Sequence, residues 1–443
     1  MAWPTLAVRI ATGAQADALT LDDATLGKLN TGGVLGDGYT LDWTDITADV
    51  RESTGVNINR GATNQQGPYF RAEAGRCTFT LDNRNGTYDP FNLLVGGVAY
   101  GDGSYGTSTY GGSSPWVQDN RSLLHPGLPI SVQATYDGVT YDLFRGFVTS
   151  WMVDFPEYAV DSVAVVTAHD VVGRLSNASR PESFVELGDG ENAGARITRI
   201  LDNVGWYAGA RVIDTTSTDS FQPTTLSDRA WAEMQNVADD VNGYLWADPA
   251  GVVRFQNKSQ FPRTADFQVG TATGSVPTAK IQVSNDPNQL YNVVKLGRDD
   301  GVTGTVTDQT SIDDYGSYSF ERSGMRVDSD EQVQDSLTYV LSQYKDHRLR
   351  VEGFEVPLTD TSTDLAWQRM LELDLTRRVE ASFQTPDGRT IEREGLVRGI
   401  SLSVRYRNWR WSVSTTAAPE ALGTFTLDSS SLGLLDTGTL AAF

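Results

Sequence analysis

Ile130-Ser-Val132-Gln-Ala134-Thr-Tyr136, then Asp137-Gly138, then Val139-Thr-Tyr141-Asp-Leu143, is the stretch on which the fold turns. Apolar and polar residues alternate on both sides of the Asp-Gly pair, the pattern of a strand with one buried face. Asp-Gly tolerates the positive φ that a two-residue hairpin turn demands. The segment reads as a β-hairpin. Its second strand runs on through Leu143-Phe-Arg-Gly146-Phe-Val148-Thr-Ser-Trp151, and Val163-Ala-Val165-Val-Thr167 follows as a third strand.

The same alternation extends toward the N-terminus. Leu6-Ala-Val8-Arg-Ile10 is a strand, and so is Cys77-Thr-Phe79-Thr-Leu81, which runs into the turn cluster Asp82-Asn-Arg-Asn-Gly86. Residues 1–175 therefore form a β domain. Within it Gly96 to Gly112 is a Gly/Ser/Tyr stretch that cannot bury a core, and it reads as a long exposed loop.

The pattern changes near residue 176. From Glu191 to Val204, apolar residues at Ala193, Ile197, Ile200, Leu201 and Val204 have helical spacing, with Gly205 as a C-cap. Ser227 is placed to cap a second helix that carries Ala230, Trp231, Met234, Val237, Ala238 and Val241 on one face and closes at Gly243. Tyr244 to Ala247 and Val252 to Phe255 form a hairpin around Asp248-Pro-Ala-Gly251. Residues 176–262 read as a small α/β module. Residues 263–415 return to strands: Tyr291 to Leu296, a hairpin on Pro386-Asp-Gly388, then Leu396 to Tyr406 and Trp409 to Thr415. One helix is expected there, over 331–347, with Val333, Leu337, Val340, Leu341 and Tyr344 on its stripe. Residues 416–443 read as an extended C-terminal tail.

A weak internal repeat links the two β regions. Leu143-Phe-Arg-Gly146-Phe-Val148 followed by Val163-Ala-Val165 resembles Glu392-Arg-Glu-Gly395-Leu-Val397 followed by Trp409-Arg-Trp411-Ser-Val413. Either one β unit is used twice, flanking the α/β module, or two antiparallel hairpins are merely alike.

The formal net charge is -22, from 35 Lys plus Arg against 57 Asp plus Glu. Tight binding of nucleic acid needs clustered cations, so that function class is excluded, although an acidic wall can face DNA that must slide past. Solubility alone is the plainer reading of the charge. Cys77 is the only cysteine, so no intrachain disulfide can form, and its place in the alternation makes it a small core residue. Met1 to Leu6 lacks the basic and apolar regions of a signal peptide, and no run reaches the ~18 apolar residues of a membrane span. A protein made in a cytoplasm is expected.

Motifs for chemistry are weak. Gly101-Asp-Gly103-Ser-Tyr-Gly106 has dinucleotide-loop spacing, but Thr107-Ser-Thr-Tyr-Gly-Gly cannot start the helix such a site needs. In Asp82 to Asp89 the calcium-loop register would put the first ligand on Leu81, so the segment reads as a turn. His125 precedes Pro126-Gly, His347 is placed at a helix end, and His169-Asp170 are strand neighbours that point to opposite faces. Asp42-Trp43-Thr-Asp45 and Asp313-Asp314-Tyr315 have the residue types of a glycosidase pair, without further support. No enzyme activity, cofactor or metal is expected.

Trp43-Thr-Asp-Ile-Thr-Ala-Asp-Val50, Val56-Asn-Ile58-Asn-Arg-Gly61, and Gly75 through Leu81-Asp82-Asn83-Arg-Asn-Gly86-Thr-Tyr88-Asp-Pro90 resemble the opening of actinobacteriophage minor tail proteins. Leu-Asp-Asn-x-x-Gly-x-Tyr-x-Pro is the most specific element. Pro129 to Val132, Leu143 to Val148, Arg196 to Trp206, Gly243 to Phe255 and Phe425 to Asp436 extend the likeness over most of the chain. The resemblance implies a mainly β, α+β protein with two tail-tube-like β-barrel domains flanking the α/β module. It implies a tail-tip or baseplate hub in the virion, typically a homotrimer whose six barrels match a six-fold tube. Its partners would be a distal tail protein and a tape-measure protein, with DNA passing through the lumen. The alternatives are a distal tail protein forming a hexameric ring, and a carbohydrate-binding or glycan-cleaving tail protein.

Overall fold

The computed structural model describes residues 3–16, 39–62, 67–89, 117–118, 121–122, 124–156, 160–179, 186–226, 229–285, 287–299 and 301–418. The 96–112 loop, the Gly101–Gly106 motif, Ser227 and almost all of the 416–443 tail lie outside these residues. The chain forms two compact units. Unit 1 is Met1–Ile58, Arg76–Asp170 and Ser403–Trp409; unit 2 is Asn59–Gly75, Val171–Leu402 and Arg410–Phe443.

Unit 1 is built from β1 (Thr5–Ala16), β2 (Tyr39–Asp45), β3 (Val56–Gly61, of which the first half belongs here), β4 (Glu73–Asp82), the two-residue strands β5 (Val117–Gln118) and β6 (Arg121–Ser122), β7 (Pro129–Tyr136), β8 (Val139–Asp154) and β9 (Val163–His169). The main sheet runs in the order β2-β1-β7-β8-β9-β4-β3. β7 and β8 form the expected hairpin, closing on Tyr136 opposite Val139. Asp137 and Gly138 have φ of 49° and 76°, the left-handed pair of a type I′ turn. The period-two pattern becomes a core: Cys77, Phe79 and Leu81 of β4, Ile130, Val132 and Ala134 of β7, and Ala164, Val166 and Ala168 of β9 are all buried.

The barrel expected for this region is not closed among the described residues, because β2 and β3, the first and last strands of this run, do not pair with each other. A short link joins the ends instead. The Ile46 amide donates to the Val8 carbonyl at 2.9 Å, a single 3-10 turn spans Thr47–Asp49, and the Arg51 amide then donates to the Thr80 carbonyl of β4 at 2.8 Å. Val50 bridges Leu81. The four residue steps from Ile46 to Val50 span at most ~14 Å, so the β2 end of this run is carried close to β4.

Unit 2 contains β10 (Arg211–Ile213), β11 (Tyr244–Ala247), β12 (Val253–Gln256), β13 (Phe267–Gly270), β14 (Lys280–Ser284), β15 (Val293–Arg298), β16 (Thr303–Thr307), β17 (Ser319–Met325), β18 (Arg350–Leu358), β19 (Arg378–Gln384), and most of β20 (Thr390–Arg405) and β21 (Asn408–Ala417). Its helices are α1 (Val171–Leu175), α2 (Ala193–Asn203), α3 (Ala230–Asp240), α4 (Gln309–Tyr315), α5 (Asp330–Tyr344) and α6 (Asp364–Leu371). The small sheet β10-β12-β11 packs with α2 and α3, and a second small sheet, β16-β15-β17, packs with α5. The α2 helix is as expected, with Asn192 as its cap and Gly205 left-handed at φ 69°. At the end of α3 the left-handed residue is Asn242 rather than Gly243. Gly243 is needed for space, since a Cβ there would lie 2.8 Å from the Phe255 ring. His347 lies three residues beyond α5 instead of ending it.

The main sheet of unit 2 runs β13-β19-β20-β21-β18-β14, and in unit 1 the run β1-β7-β8-β9-β4-β3 has the same order. Each has an Asp-Gly turn, Asp137-Gly138 or Asp387-Gly388, leading into a 16-residue strand, β8 or β20, that folds back as β9 or β21. The weak sequence repeat is therefore a repeat of topology. One strand departs: β1 is antiparallel to β7, whereas β13 is parallel to β19. At Gly146 the glycine is steric: a Cβ there would sit 2.2 Å from the His169 carbonyl oxygen, so this end of the β8–β9 ladder would have to shift, whereas at Gly395 the nearest atoms stand 3.2 Å away. Gly146→Ala should destabilise the protein by about 3 kcal/mol through this overlap. Gly138→Ala, which meets nothing within 4 Å, should cost only the left-handed backbone penalty of about 1 kcal/mol. Urea unfolding checks both, and a Gly146→Ala protein as stable as wild type would refute the steric account.

Candidate functional site

The described part of the Leu81–Pro90 motif, Leu81 to Asp89, is a clasp on the link that curls unit 1. Leu81 is core. The Asn83 side chain is buried and bonded at both ends: Nδ2 donates to Ser162 Oγ at 3.1 Å, and Oδ1 accepts from the Tyr88 amide at 2.8 Å. Gly86 is left-handed at φ 71°, which lets the chain turn back and bury Tyr88. The Tyr88 hydroxyl donates to an Asp49 carboxylate oxygen, so the motif holds the Thr47–Asp49 turn directly. Burial, and then the Asp49 carboxylate, push the Tyr88 phenol well above its ordinary pKa. Trp151 Nε1 of β8 donates to the Tyr88 carbonyl at 2.9 Å, and Arg51 donates to Asp161 beside Ser162 at 3.0 Å. Asp82, at the start of this turn, accepts from Arg84 Nε at 2.9 Å.

Unit 2 holds a buried ionic cluster on α3, where Glu233, Asp239 and Asp240 are all buried. Arg71 donates to Asp239 at 2.6 Å, Arg322 pairs with Asp240, Arg326 pairs with Glu233, and the Arg326 amide donates to Asp240 at 3.1 Å. Gln235 donates to Asp239 at 3.0 Å and to the Phe70 carbonyl at 2.8 Å. Arg322 lies 4.9 Å over the Tyr69 ring, and Arg398 lies 5.3 Å over both Phe70 and Tyr244. Burial raises the Asp240 carboxyl to about 6, against the opposing pull of Arg322. Sequence pattern shows the apolar face of α3 but not this cluster, because the partner arginines are distant in the chain. A nearby pocket lined by Asn242, Tyr244, Tyr339, Tyr344, Asp346 and Arg350 offers about 20 Å³, room for about one water molecule, and none of the three carboxylates lines it.

The other singled-out residues are not brought together. Asp45 accepts from the Thr47 amide at 2.9 Å. Burial would raise its carboxyl, but the Thr47 bonds and Arg9 hold it below the ordinary value, the opposite of what a general acid needs. The Asp42 side chain lies outside the described residues. Asp313 and Asp314 stand exposed on α4, and Asp313 accepts from Gln309 at 2.7 Å. His125 contacts the Pro126 carbonyl at 2.8 Å, and the His347 ring lies 5.8 Å from that of Tyr315. His169 is held below its ordinary value by burial and then by Arg76. Among the described residues no group of three or more His, Cys, Asp or Glu could hold a metal, and no helix is long and apolar enough to cross a membrane.

No protein-family profile and no curated protein matches the sequence. Solved structures do match. The tail protein from Neisseria meningitidis MC58 aligns over 94% of this chain and 97% of its own, at 11% identity and a TM-score of 0.52. The 43 kDa tail protein of prophage MuSo2 from Shewanella oneidensis aligns over 85% of this chain and 94% of its own, at 11% identity and a TM-score of 0.51. The chain thus has a phage tail-protein fold. At this identity the likeness is one of fold.

Two tests follow from the geometry. Asn83→Ala leaves the Ser162 hydroxyl and the Tyr88 amide without their partner and should cost about 2–3 kcal/mol; Tyr88→Phe, which strips one bond from the Asp49 carboxylate, should cost about 1.5–3 kcal/mol. Near-native melting of both would rule out the clasp. The Asp240 carboxyl should titrate near 6 by carbon-detected NMR, against an ordinary 3.8. The sign is that of a raised acid: the folded state holds the proton more tightly, so this stabilisation is complete below about 4 and is lost as pH rises through 6. A midpoint at or below 4 would mean that the guanidiniums outweigh burial.

Proposed function

We propose that this chain is a structural subunit of a phage tail tip, a hub of three copies that closes the tail tube and lets tape-measure protein and DNA pass. The observation that carries the reading is the doubled sheet order, β1-β7-β8-β9-β4-β3 and β13-β19-β20-β21-β18-β14, within one chain. Two tube-like domains per chain and three chains make six equivalent positions, which suits a trimer meeting a six-fold tube. The same doubling favours three copies over the six of a distal tail ring. The modules of this reading are residues 1–175 and 263–415 as the two tube-like barrels, completed on assembly, with 176–262 between them and 416–443 as a tail. The Leu81–Pro90 motif supports kinship with actinobacteriophage minor tail proteins. A net charge of -22 suits a wall past which DNA slides without sticking. The role is structural, with distal tail and tape-measure proteins as neighbours in the virion.

Native mass spectrometry of the full chain should give three copies of the 48.2 kDa subunit, and negative-stain images should show a ring with a central opening. A chain that stays monomeric under all conditions, or that releases reducing sugar from host cell-wall glycan, would overturn the reading.

A further inference from the structure

The two copies of the sheet differ in what covers their edges. In unit 1, β3 has neighbours on both sides, β4 on one and β20 on the other. The contact with β20 is close: Ser403 Oγ donates to Asn57 Oδ1 at 2.9 Å, and a Cβ on Gly55 would lie 2.0 Å from the Val404 carbonyl oxygen. Further along, the Ala62 amide donates to the Arg398 carbonyl at 2.8 Å, so β3 and the far half of β20 run antiparallel.

By strand order the counterpart of β3 in unit 2 is β14, and the counterpart of β20 is β8. Both counterparts lack this neighbour. β14 ends its sheet: Lys280–Val283 pair with β18 on one side, and no strand lies on the other among the described residues. The β7–β8 pairing stops at Pro129 opposite Phe147, so from Thr149 to Asp154 only the β9 side of β8 carries a strand among the described residues. Both places also expose apolar side chains. Around the end of β8, Met152 is 57% exposed, Phe155 50% and Val160 70%; on β14, Val283 is 38% exposed. A row of unpaired backbone groups beside apolar side chains is a template for adding a strand.

We propose that the far half of β8 in one copy of this chain pairs antiparallel with β14 of a second copy, repeating between chains the β20–β3 contact made within each chain. This inference rests on the trimeric reading above and names its joint. The contact is head-to-tail, since two different surfaces meet, so it closes into a ring only if the rotation allows.

The test uses the full-length protein. Met152→Asp combined with Val160→Asp puts two charges into the joint and should weaken trimer association at least ~100-fold in favour of monomer, with circular dichroism and melting unchanged because both residues are exposed in the free chain. Separately, chains carrying Met152→Cys and chains carrying Val283→Cys are mixed and treated with a short bismaleimide. Cross-linked dimer should form in the mixture and not with either variant alone; the native Cys77 is buried and does not compete. A wild-type trimer that survives the double Asp change and gives no cross-link overturns this joint while leaving the trimeric hub intact. A wild-type chain that is monomeric at every concentration removes both.

Discussion

An antiparallel sheet has two edges, and each edge leaves a row of amide and carbonyl groups that must find partners. That constraint organises this molecule. Unit 1 meets it by curling. The Thr47–Asp49 turn carries the chain from the β1–β2 end of the sheet to β4, and the Arg51 amide completes the ladder at Thr80. The turn has little strength of its own, being three residues long and without a buried side chain. It is held from below by Tyr88, whose loop is held in turn by Asn83. A motif that reads in sequence only as a family signature is thus a chain of hydrogen bonds fastening one end of a sheet to the other.

Unit 2 uses charge where unit 1 uses a clasp. Three carboxylates on α3 are buried, which would be prohibitive alone, and each faces an arginine from another part of the chain. Such clusters add little net stability over an apolar core of the same shape, because desolvation offsets attraction. They do penalise any packing that separates the partners. Here they fix the 67–72 loop and β17 against α3, and a misplaced register would strand a charge in the core.

Period-two alternation and turn chemistry made most strands legible in the sequence: the Asp137-Gly138 hairpin, the Cys77–Leu81 strand and the α2 helix all stand where the pattern puts them. The repeat was visible only faintly, through Gly146 and Gly395, because the strands share geometry and little side-chain identity. The non-local features were not legible. The apolar stripe of α3 hid Glu233, Asp239 and Asp240, whose burial depends on Arg71, Arg322 and Arg326. His347 reads as a helix end, but α5 stops at Tyr344, the last residue of its apolar stripe. Barrel closure also depends on which edges meet, and no local pattern encodes that.

The two copies of the sheet diverge where their connections differ. Between β3 and β4 the chain is short, and its Tyr69–Arg71 segment is drawn into the α3 cluster. Between β14 and β18, residues 285–349 build a separate three-stranded sheet with α4 and α5. Between β9 and β13 the chain makes the α/β module. Insertions at these points leave the six-strand order intact because each begins and ends at the end of a strand, where the ladder is already finished. In the proposed ring of equivalent positions that order is the part least free to change, while connections and side chains can drift. The likeness to the two tail proteins is accordingly one of fold, at 11% identity. Among the described residues β14 ends its sheet while β3 does not, and in the proposed assembly that difference is where a neighbouring copy would add its strand.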